Sequence, residues 1–321
     1  MSLDEAVPGQ VASLVVAAKD EVADGIVALT LVHPQGRRLP DWTPGAHIDL
    51  MLPTGLTRQY SLCGDRWDTS RYRVGVLREP NGRGGSAYVH DRLSVGDRVG
   101  IGGPRNNFAL VPSDRYLFIA GGIGVTPILP MVHQAGLLGA DWELVYGGRR
   151  HDTMAFRDEL GRYGHRVHVL PDDEYGLLDL PAWLGEDRDG THVYCCGPAG
   201  LLDAVEVACA HWPPHTLHTE RFTAARASTP VREEPFEVRL ARTGATVTVS
   251  RADTVLDAVR AAGAEVLSSC EQGTCGTCET EVLDGIPDHR DSLLSDDERA
   301  AGDCMFICVS RSCGERLVLD L

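Results

Sequence analysis

Four cysteines, Cys270, Cys275, Cys278 and Cys308, are the residues of this 321-residue sequence best placed to do chemistry. The first three lie in CEQGTCGTC, a C-x4-C-x2-C spacing, and the fourth follows in FICVSR. That is the spacing of a plant-type [2Fe–2S] site, in which four thiolates hold two irons that take up and release single electrons. Structural zinc or a redox dithiol is the competing reading, but zinc sites pair two short-spaced couples. Here three thiols fall within nine residues with Gly273 and Gly276 between them. Glycine lets the backbone approach the sulfides and turn N–H groups toward them.

Two upstream segments suit a flavin. Arg58-Gln59-Tyr60-Ser61 ends an expected strand. An aromatic ring there can pack on the isoalloxazine, a hydroxyl can bond near its N5, and a guanidinium can meet phosphate or ring oxygens. Gly82-Arg83-Gly84-Gly85-Ser86 precedes the expected helix SAYVHDRL. Unpaired N–H groups at such a helix start bind phosphate. A flexible surface turn is the plain alternative for GRGGS, and RxYS alone is common on strands; the pair on one set of strands favours the flavin.

A third group suits a dinucleotide. Gly121-Gly122-Ile123-Gly124-Val125-Thr126-Pro127 stands between an apolar strand and a helix, the context that makes a glycine turn a nucleotide site. It departs from GxGxxG, and no acidic residue ends the second strand as the ribose partner. That strand ends in Gly147-Gly148-Arg149-Arg150, whose arginines either line the 2′-phosphate of NADPH or are simply solvated. Cys195-Cys196-Gly197-Pro198 opens the last strand-to-helix turn, where Cys196 shapes a wall for a planar nicotinamide. No histidine or asparagine is placed to make Cys196 a nucleophile, and hydride transfer needs none.

The elements that must position these groups follow from periodicity and punctuation. Short alternating strands between residues 10 and 110, separated by Gly and Pro, predict an antiparallel barrel. From 115 onward, strands alternate with helices, which predicts a parallel sheet with right-handed crossovers. AARASTPVREEP is small, polar and proline-containing, and reads as a linker. FEVRL-ARTGA-TVTVS then predicts a hairpin, DTVLDAVRAAG a helix and ERLVLDL a closing strand, an order that suits a β-grasp. The expectation is a multidomain α+β chain: a flavin-binding β-barrel over 1–112, a Rossmann-like nicotinamide domain over 113–223, a linker over 224–234 and a ferredoxin domain over 235–321.

Net charge −16 argues against nucleic acid and anionic membranes as partners. Beyond residue 231 there are 18 acidic against 9 basic residues, which suits docking to a basic patch or simply solubility. No apolar run reaches a membrane span, and MSLDEAVPGQ has no leader pattern, so a cytoplasmic protein is expected, with its ten cysteines reduced. Cys63, Cys195, Cys209, Cys304 and Cys313 read as small apolar fillers.

With RQYSL, GRGGS, GGIGVTP, YCCGP and C-x4-C-x2-C…C in this order, nearly the whole chain resembles the phthalate dioxygenase reductase family, within the ferredoxin–NADP reductase superfamily. Pro44-Gly45-Ala46-His47 and Pro104-Arg105-Asn106-Asn107-Phe108 also match. The resemblance implies FMN, held by Arg58, Tyr60, Ser61, Gly84, Gly85 and Ser86 with Thr126 near its ring. It implies a dinucleotide, usually NADH, at Gly121, Gly122, Gly124, Cys196, Gly197 and Pro198. Glu220, Arg221 and Phe222 would approach the flavin, and Arg149 leaves NADPH open. The implied acceptor is a separate terminal oxygenase, of Rieske type or, in the rival reading, a cytochrome P450.

Overall fold

Six strands form an antiparallel sheet: Ala12–Ala23 (β1), Ile26–Val32 (β2), His47–Met51 (β3), Thr57–Ser61 (β4), Arg71–Leu77 (β5) and Arg98–Arg105 (β6). Their order is β4-β3-β6-β1-β2-β5, and a bridge between Leu62 and Val74 joins the two edges, so the sheet closes as a barrel. Closure removes the unpaired edges that an open sheet would expose. The helix Gly85–Asp91 (α1) lies between β5 and β6 in sequence. The computed structural model describes residues 12–80, 82–222 and 230–321.

Five parallel strands follow: Arg115–Gly121 (β7), Asp141–Gly148 (β8), Val167–Pro171 (β9), Thr191–Cys196 (β10) and Leu217–Glu220 (β11), in the order β11-β10-β7-β8-β9. Val125–Leu138 (α2), Arg157–Gly161 (α3), Asp172–Tyr175 (α4), Leu180–Leu184 (α5) and Ala199–Ala208 (α6) connect them. YLFIA is continuously apolar because both faces of the sheet are covered. Tyr116, Phe118 and Ala120 enter one core, and Leu117 and Ile119 enter the other.

Barrel and parallel sheet, expected as separate domains, make one compact unit, Met1–Glu220. The cause is visible in β2, which buries both faces: Val27, Leu29 and Leu31 fill the barrel, while Ile26 and Ala28 join the core built on the parallel sheet. Phe108 packs its ring 5.5 Å from Tyr194 of β10, and Arg73 of the barrel pairs with Glu159 of α3 at 2.6 Å.

Arg221–Leu321 forms the second unit. Phe236–Leu240 (β12), Thr246–Val249 (β13), Val255–Ala261 (α7), Glu279–Asp284 (β14), Pro287–Asp288 (β15), Asp296–Ala301 (α8), Cys304–Phe306 (β16), Arg311–Ser312 (β17) and Arg316–Leu319 (β18) build a β-grasp. Its sheet order is β13-β12-β18-β14-β16, with β12 and β18 parallel. The strict alternation of FEVRL puts Phe236, Val238 and Leu240 inside. Thr254 with Asp257, and Ser295 with Glu298, form capping boxes that start α7 and α8. The expected linker, 224–234, lies outside the described residues as far as 229. Among the described residues no helix is long and apolar enough to cross a membrane.

Phe108→Ala should lower the stability of the first unit by about 3–5 kcal/mol, the usual cost of emptying a buried aromatic site. Urea unfolding followed by tryptophan fluorescence checks this; an unchanged midpoint would deny Phe108 its part in joining barrel and sheet.

Candidate functional site

In the parallel sheet the chain runs from β7 outward to β8 and β9 on one side, and to β10 and β11 on the other. The gap between β7 and β10 is thus a topological switch point, where open α/β sheets bind ligands beyond the strands' carboxyl ends. The two glycine motifs stand there, one after each strand. They touch backbone to backbone. A Cβ on Gly124 would lie 2.2 Å from the Cys196 carbonyl oxygen, and one on Gly121 2.7 Å from Pro198 and Leu201. Gly197 in turn would meet Gly121 at 3.0 Å. Gly122 takes φ +54 with open space around it. The turns leave a shallow backbone cradle that side chains would fill, which fits an extended, flat dinucleotide.

The barrel meets this cradle through Gly75 of β5. Its missing Cβ would be 2.8 Å from the Thr126 methyl and 3.3 Å from the Phe156 ring. Thr126 is buried, and its hydroxyl donates to the Ile123 carbonyl at 2.9 Å. Arg58 brings the two expected flavin segments together. A Cβ on Gly85 would stand 2.7 Å from Arg58 Cγ and Nε, and the guanidinium donates to the carbonyls of Thr57 and Arg83. Burial and the neighbouring Arg83 charge push Arg58 below the ordinary guanidinium pKa. Two like charges held together at a helix start fit a phosphate between them. Gly84 is the left-handed N-cap of α1, and the Ser86 hydroxyl accepts from Glu79 N–H at 3.0 Å, keeping its own proton to donate. Tyr60 is half-buried, its pKa pushed up to about 12 by burial against the pull of Arg58. Ser61 is buried opposite His47.

Sequence reasoning missed what holds this strand. Asp49 is buried and accepts from Gln59 Nε2 at 3.0 Å and Arg105 at 2.6 Å, tying β6, β3 and β4. Gln59 sits between Arg58 and Tyr60, so the tie sets the register of both. The PGAH and PRNNF segments belong to the same scaffold: Asn106 donates to Thr43 and Pro44, and Gly45 lies where a Cβ would strike the Phe108 carbonyl at 1.9 Å. Burial, and after it Arg105, hold the His47 imidazole down at about 4, so it is neutral.

Beneath the cradle, the Cys196 thiol donates to Glu220 Oε2 at 3.9 Å. Burial pushes the Glu220 carboxyl up to about 8, although part of the residue reaches the surface. Burial, then the Glu220 charge, holds Cys196 well above the usual thiol range. Both groups are protonated and neutral near pH 7, which agrees with Cys196 as a wall and not a nucleophile. Arg149 is exposed at the end of β8, its carbonyl accepting from Asp173 N–H. Phe222 is 41% exposed and falls with the second unit.

In the second unit the four expected thiols converge. All four are free thiols within hydrogen-bonding reach of one another, Cys270 with Cys275, and Cys308 with both Cys270 and Cys278. Gln272 and Thr274 N–H groups donate to Cys270 sulfur at 3.3 and 3.4 Å, and Thr277 N–H to Cys275 at 3.4 Å. Gly273 and Gly276 supply the positive φ, 68 and 78, that folds the loop this tightly. Among the described residues no three metal-binding side chains are grouped as for a single ion. The four thiols are linked one to the next, and the backbone donors aimed at sulfur suit thiolates.

Comparison with known proteins agrees with this geometry. The 2Fe-2S iron-sulfur cluster binding domain family matches residues 238–313. Phenoxybenzoate dioxygenase subunit beta of Ectopseudomonas oleovorans is 47% identical over 93% of this chain and 94% of its own length. The solved structure of phthalate dioxygenase reductase, described as modular for electron transfer from pyridine nucleotides to [2Fe–2S], is 38% identical over 97% and 98% of the two chains, with TM-score 0.72. An intact type IV self-sufficient cytochrome P450 monooxygenase is 45% identical over 97% of this chain, TM-score 0.91; the chain spans 41% of that protein's length.

The Glu220 shift carries a pH signature. Its carboxyl is protonated in the folded state up to about 8, whereas an unfolded glutamate ionises near its ordinary ~4.3. Stability is therefore fully present below the unfolded value and falls as pH rises through the folded one, by on the order of a few kcal/mol. Glu220→Gln should flatten that fall; unfolding midpoints of both proteins from acid to mildly alkaline pH test it, and equal slopes would refute the assignment.

Proposed function

The chain belongs to the phthalate dioxygenase reductase family, and from that premise we propose that it is an electron-transfer oxidoreductase that takes electrons from NADH through FMN to a [2Fe–2S] cluster and on to a separate terminal oxygenase. The observation that supports this best is the contact of Gly75 on barrel strand β5 with Thr126, just after the glycine turn of the switch point, in a chain whose barrel also carries the Arg58–Ser61 strand and whose second unit gathers four thiols. When bound, a flavin accepts hydride and releases electrons singly, and a cluster carries one electron at a time.

The residues do the positioning. Arg58, Arg83, Gly84, Gly85 and Ser86 grip a terminal phosphate, which is why FMN suffices and no adenosine site is required of the barrel. Tyr60 and Ser61 face the ring from β4, and Thr126 from α2. Gly121, Gly122, Gly124, Cys196, Gly197 and Pro198 admit the nicotinamide end of the donor. No acid–base side chain is needed, so rate comes from alignment and from fixed dipoles.

Arg149 and Arg150 had left NADPH open, and their surroundings favour NADH. Arg150 is held by Asp24 at 3.1 Å and Asp152 at 3.0 Å. Arg149 neighbours the acidic run Asp172, Asp173 and Glu174 through its carbonyl bond to Asp173 N–H. A 2′-phosphate there would meet carboxylates. NADH should be preferred in kcat/KM by roughly tenfold or more, since one like-charge contact costs at least about 1.4 kcal/mol; steady-state kinetics with both donors, beside identification of the extracted flavin, decide this.

A P450 as acceptor is the second reading, favoured by the match to the self-sufficient monooxygenase. Reconstitution with a Rieske oxygenase and with a P450 separates the two. The order of carriers is tested by Cys275→Ser, which should abolish cytochrome c reduction and the cluster's visible absorption while NADH-to-ferricyanide turnover persists. Cytochrome c reduction that survived the substitution would take the cluster off the electron path.

A further inference from the structure

Behind the thiol loop lies a charged group that the reading above does not use. Asp291 has no exposed side-chain surface. Its Oδ2 accepts from the N–H groups of Leu293 and Leu294 at 3.0 and 2.9 Å and lies 3.6 Å from the Arg299 guanidinium. Arg299 also donates to the Asp291 carbonyl at 2.7 Å and to the Leu294 carbonyl at 3.0 Å. Oδ1 has no hydrogen-bond partner and faces the buried His289 ring at 3.9 Å, both of whose nitrogens are likewise unpartnered. A buried carboxylate is costly unless paired, and this one is only half satisfied.

The turn it organises grips the loop at one residue. Ser292 N–H donates to the Gly273 carbonyl at 2.9 Å. A Cβ on Gly273 would lie 3.0 Å from Asp291 Cα and 3.2 Å from its Cβ. On its other side, Gly273 N–H bonds the sulfur of Cys308. One unbroken line of contacts therefore runs from Arg299 through Asp291 and Gly273 to a thiol of the loop.

We propose that Asp291, with Arg299 as its counter-charge, is a positioning residue of the iron–sulfur site: it fixes Gly273 against the Cys308 sulfur and sets the local field that fixes the cluster's reduction potential. This rests on the four thiols holding a [2Fe–2S] cluster. A negative charge buried close to the site disfavours an added electron, and the nearby cation offsets it. Asp291 is fully buried and acts with little screening by salt, whereas Arg299, 31% exposed, is screened in part.

The test measures midpoint potential by spectroelectrochemistry on the full-length holoprotein. Asp291→Asn keeps an oxygen for the Leu293 and Leu294 N–H groups but removes the charge, and should move the potential positive. Arg299→Gln should move it negative. Glu237→Gln and Arg239→Gln, equivalent charge changes on exposed positions of β12, should give shifts several-fold smaller that vanish at roughly 0.5 M salt, while the Asp291 shift persists and the Arg299 shift is reduced only in part. Asp291→Ala, which also releases the turn, should lose iron on desalting faster than Asp291→Asn. Shifts no larger than those of the β12 controls, or erased by salt, would overturn the proposal. If Asp291→Asn does not fold, the Arg299→Gln shift decides alone. A wild-type protein without iron and sulfide would instead sink the underlying cluster assignment.

Discussion

The backbone after β7 and the backbone after β10 lie closer together than any side chain permits, with 2.2 Å between a notional Gly124 Cβ and the Cys196 carbonyl oxygen. Much else depends on this contact. It lets two strand-to-helix turns, more than seventy residues apart in sequence, act as one surface at the switch point. It also leaves backbone groups, and not side chains, facing the ligand, so a flat ring can approach without a steric toll. The same economy recurs where barrel meets sheet: Gly75 yields its Cβ space to the Thr126 methyl. Hydride transfer demands stacked planes and little else, and the chain supplies that by omission of atoms.

Electrostatics at this contact follow from burial. Glu220 and Cys196 sit where burial disfavours ionisation; the Glu220 charge pushes the thiol up further, while the thiol's hydrogen bond only partly offsets the effect of burial on Glu220. A neutral pair can shape and dry the site without competing for hydride or proton, and water excluded from such a site strengthens the remaining dipoles. By contrast, the phosphate end keeps Arg58 and Arg83 in mutual repulsion. One end of the cleft thus disfavours charge and the other, with Arg58 and Arg83, suits an anion.

Local spacing made the chemistry legible. The C-x4-C-x2-C loop, RQYS, GRGGS and the two glycine turns each span fewer than ten residues, and each stands at a strand end, helix start or loop that its type suits. The alternation of FEVRL and the apolar run YLFIA likewise foretold one-sided and two-sided burial. What stayed hidden depends on contacts distant in sequence. Asp49 meets Gln59 and Arg105 only because β3 lies between β4 and β6. Asp291 meets Gly273 only after the loop has folded. The packing of barrel and parallel sheet into one compact unit was hidden for a related reason. Ile26 and Ala28 read as ordinary strand residues, and nothing in their types reveals that the outer face of β2 completes a second core.

The second unit must reconcile two demands that pull against each other. Its surface carries a twofold excess of acidic residues, useful for guiding a basic acceptor from a distance. Yet its task requires it to take on further negative charge. The resolution visible in the structure is a set of arginines that bind backbone carbonyls around the thiol loop. Arg260 donates to the Val266 carbonyl and the Ser268 hydroxyl at the entry to the thiol loop. Arg299 holds the turn behind it, and Arg311, buried over the Phe236 ring, donates to the carbonyls of Ser250 and Asp253. All three cations grip backbone carbonyls, but Arg260 also pairs with the exposed Glu271 carboxylate at 3.2 Å, so the turn held by Arg299 is better insulated from surface charge than the entry to the loop. Salt that weakens docking would leave the turn around the buried Asp291 as it was, and surface charge away from the Arg260–Glu271 pair could be retuned for a different acceptor without disturbing that turn.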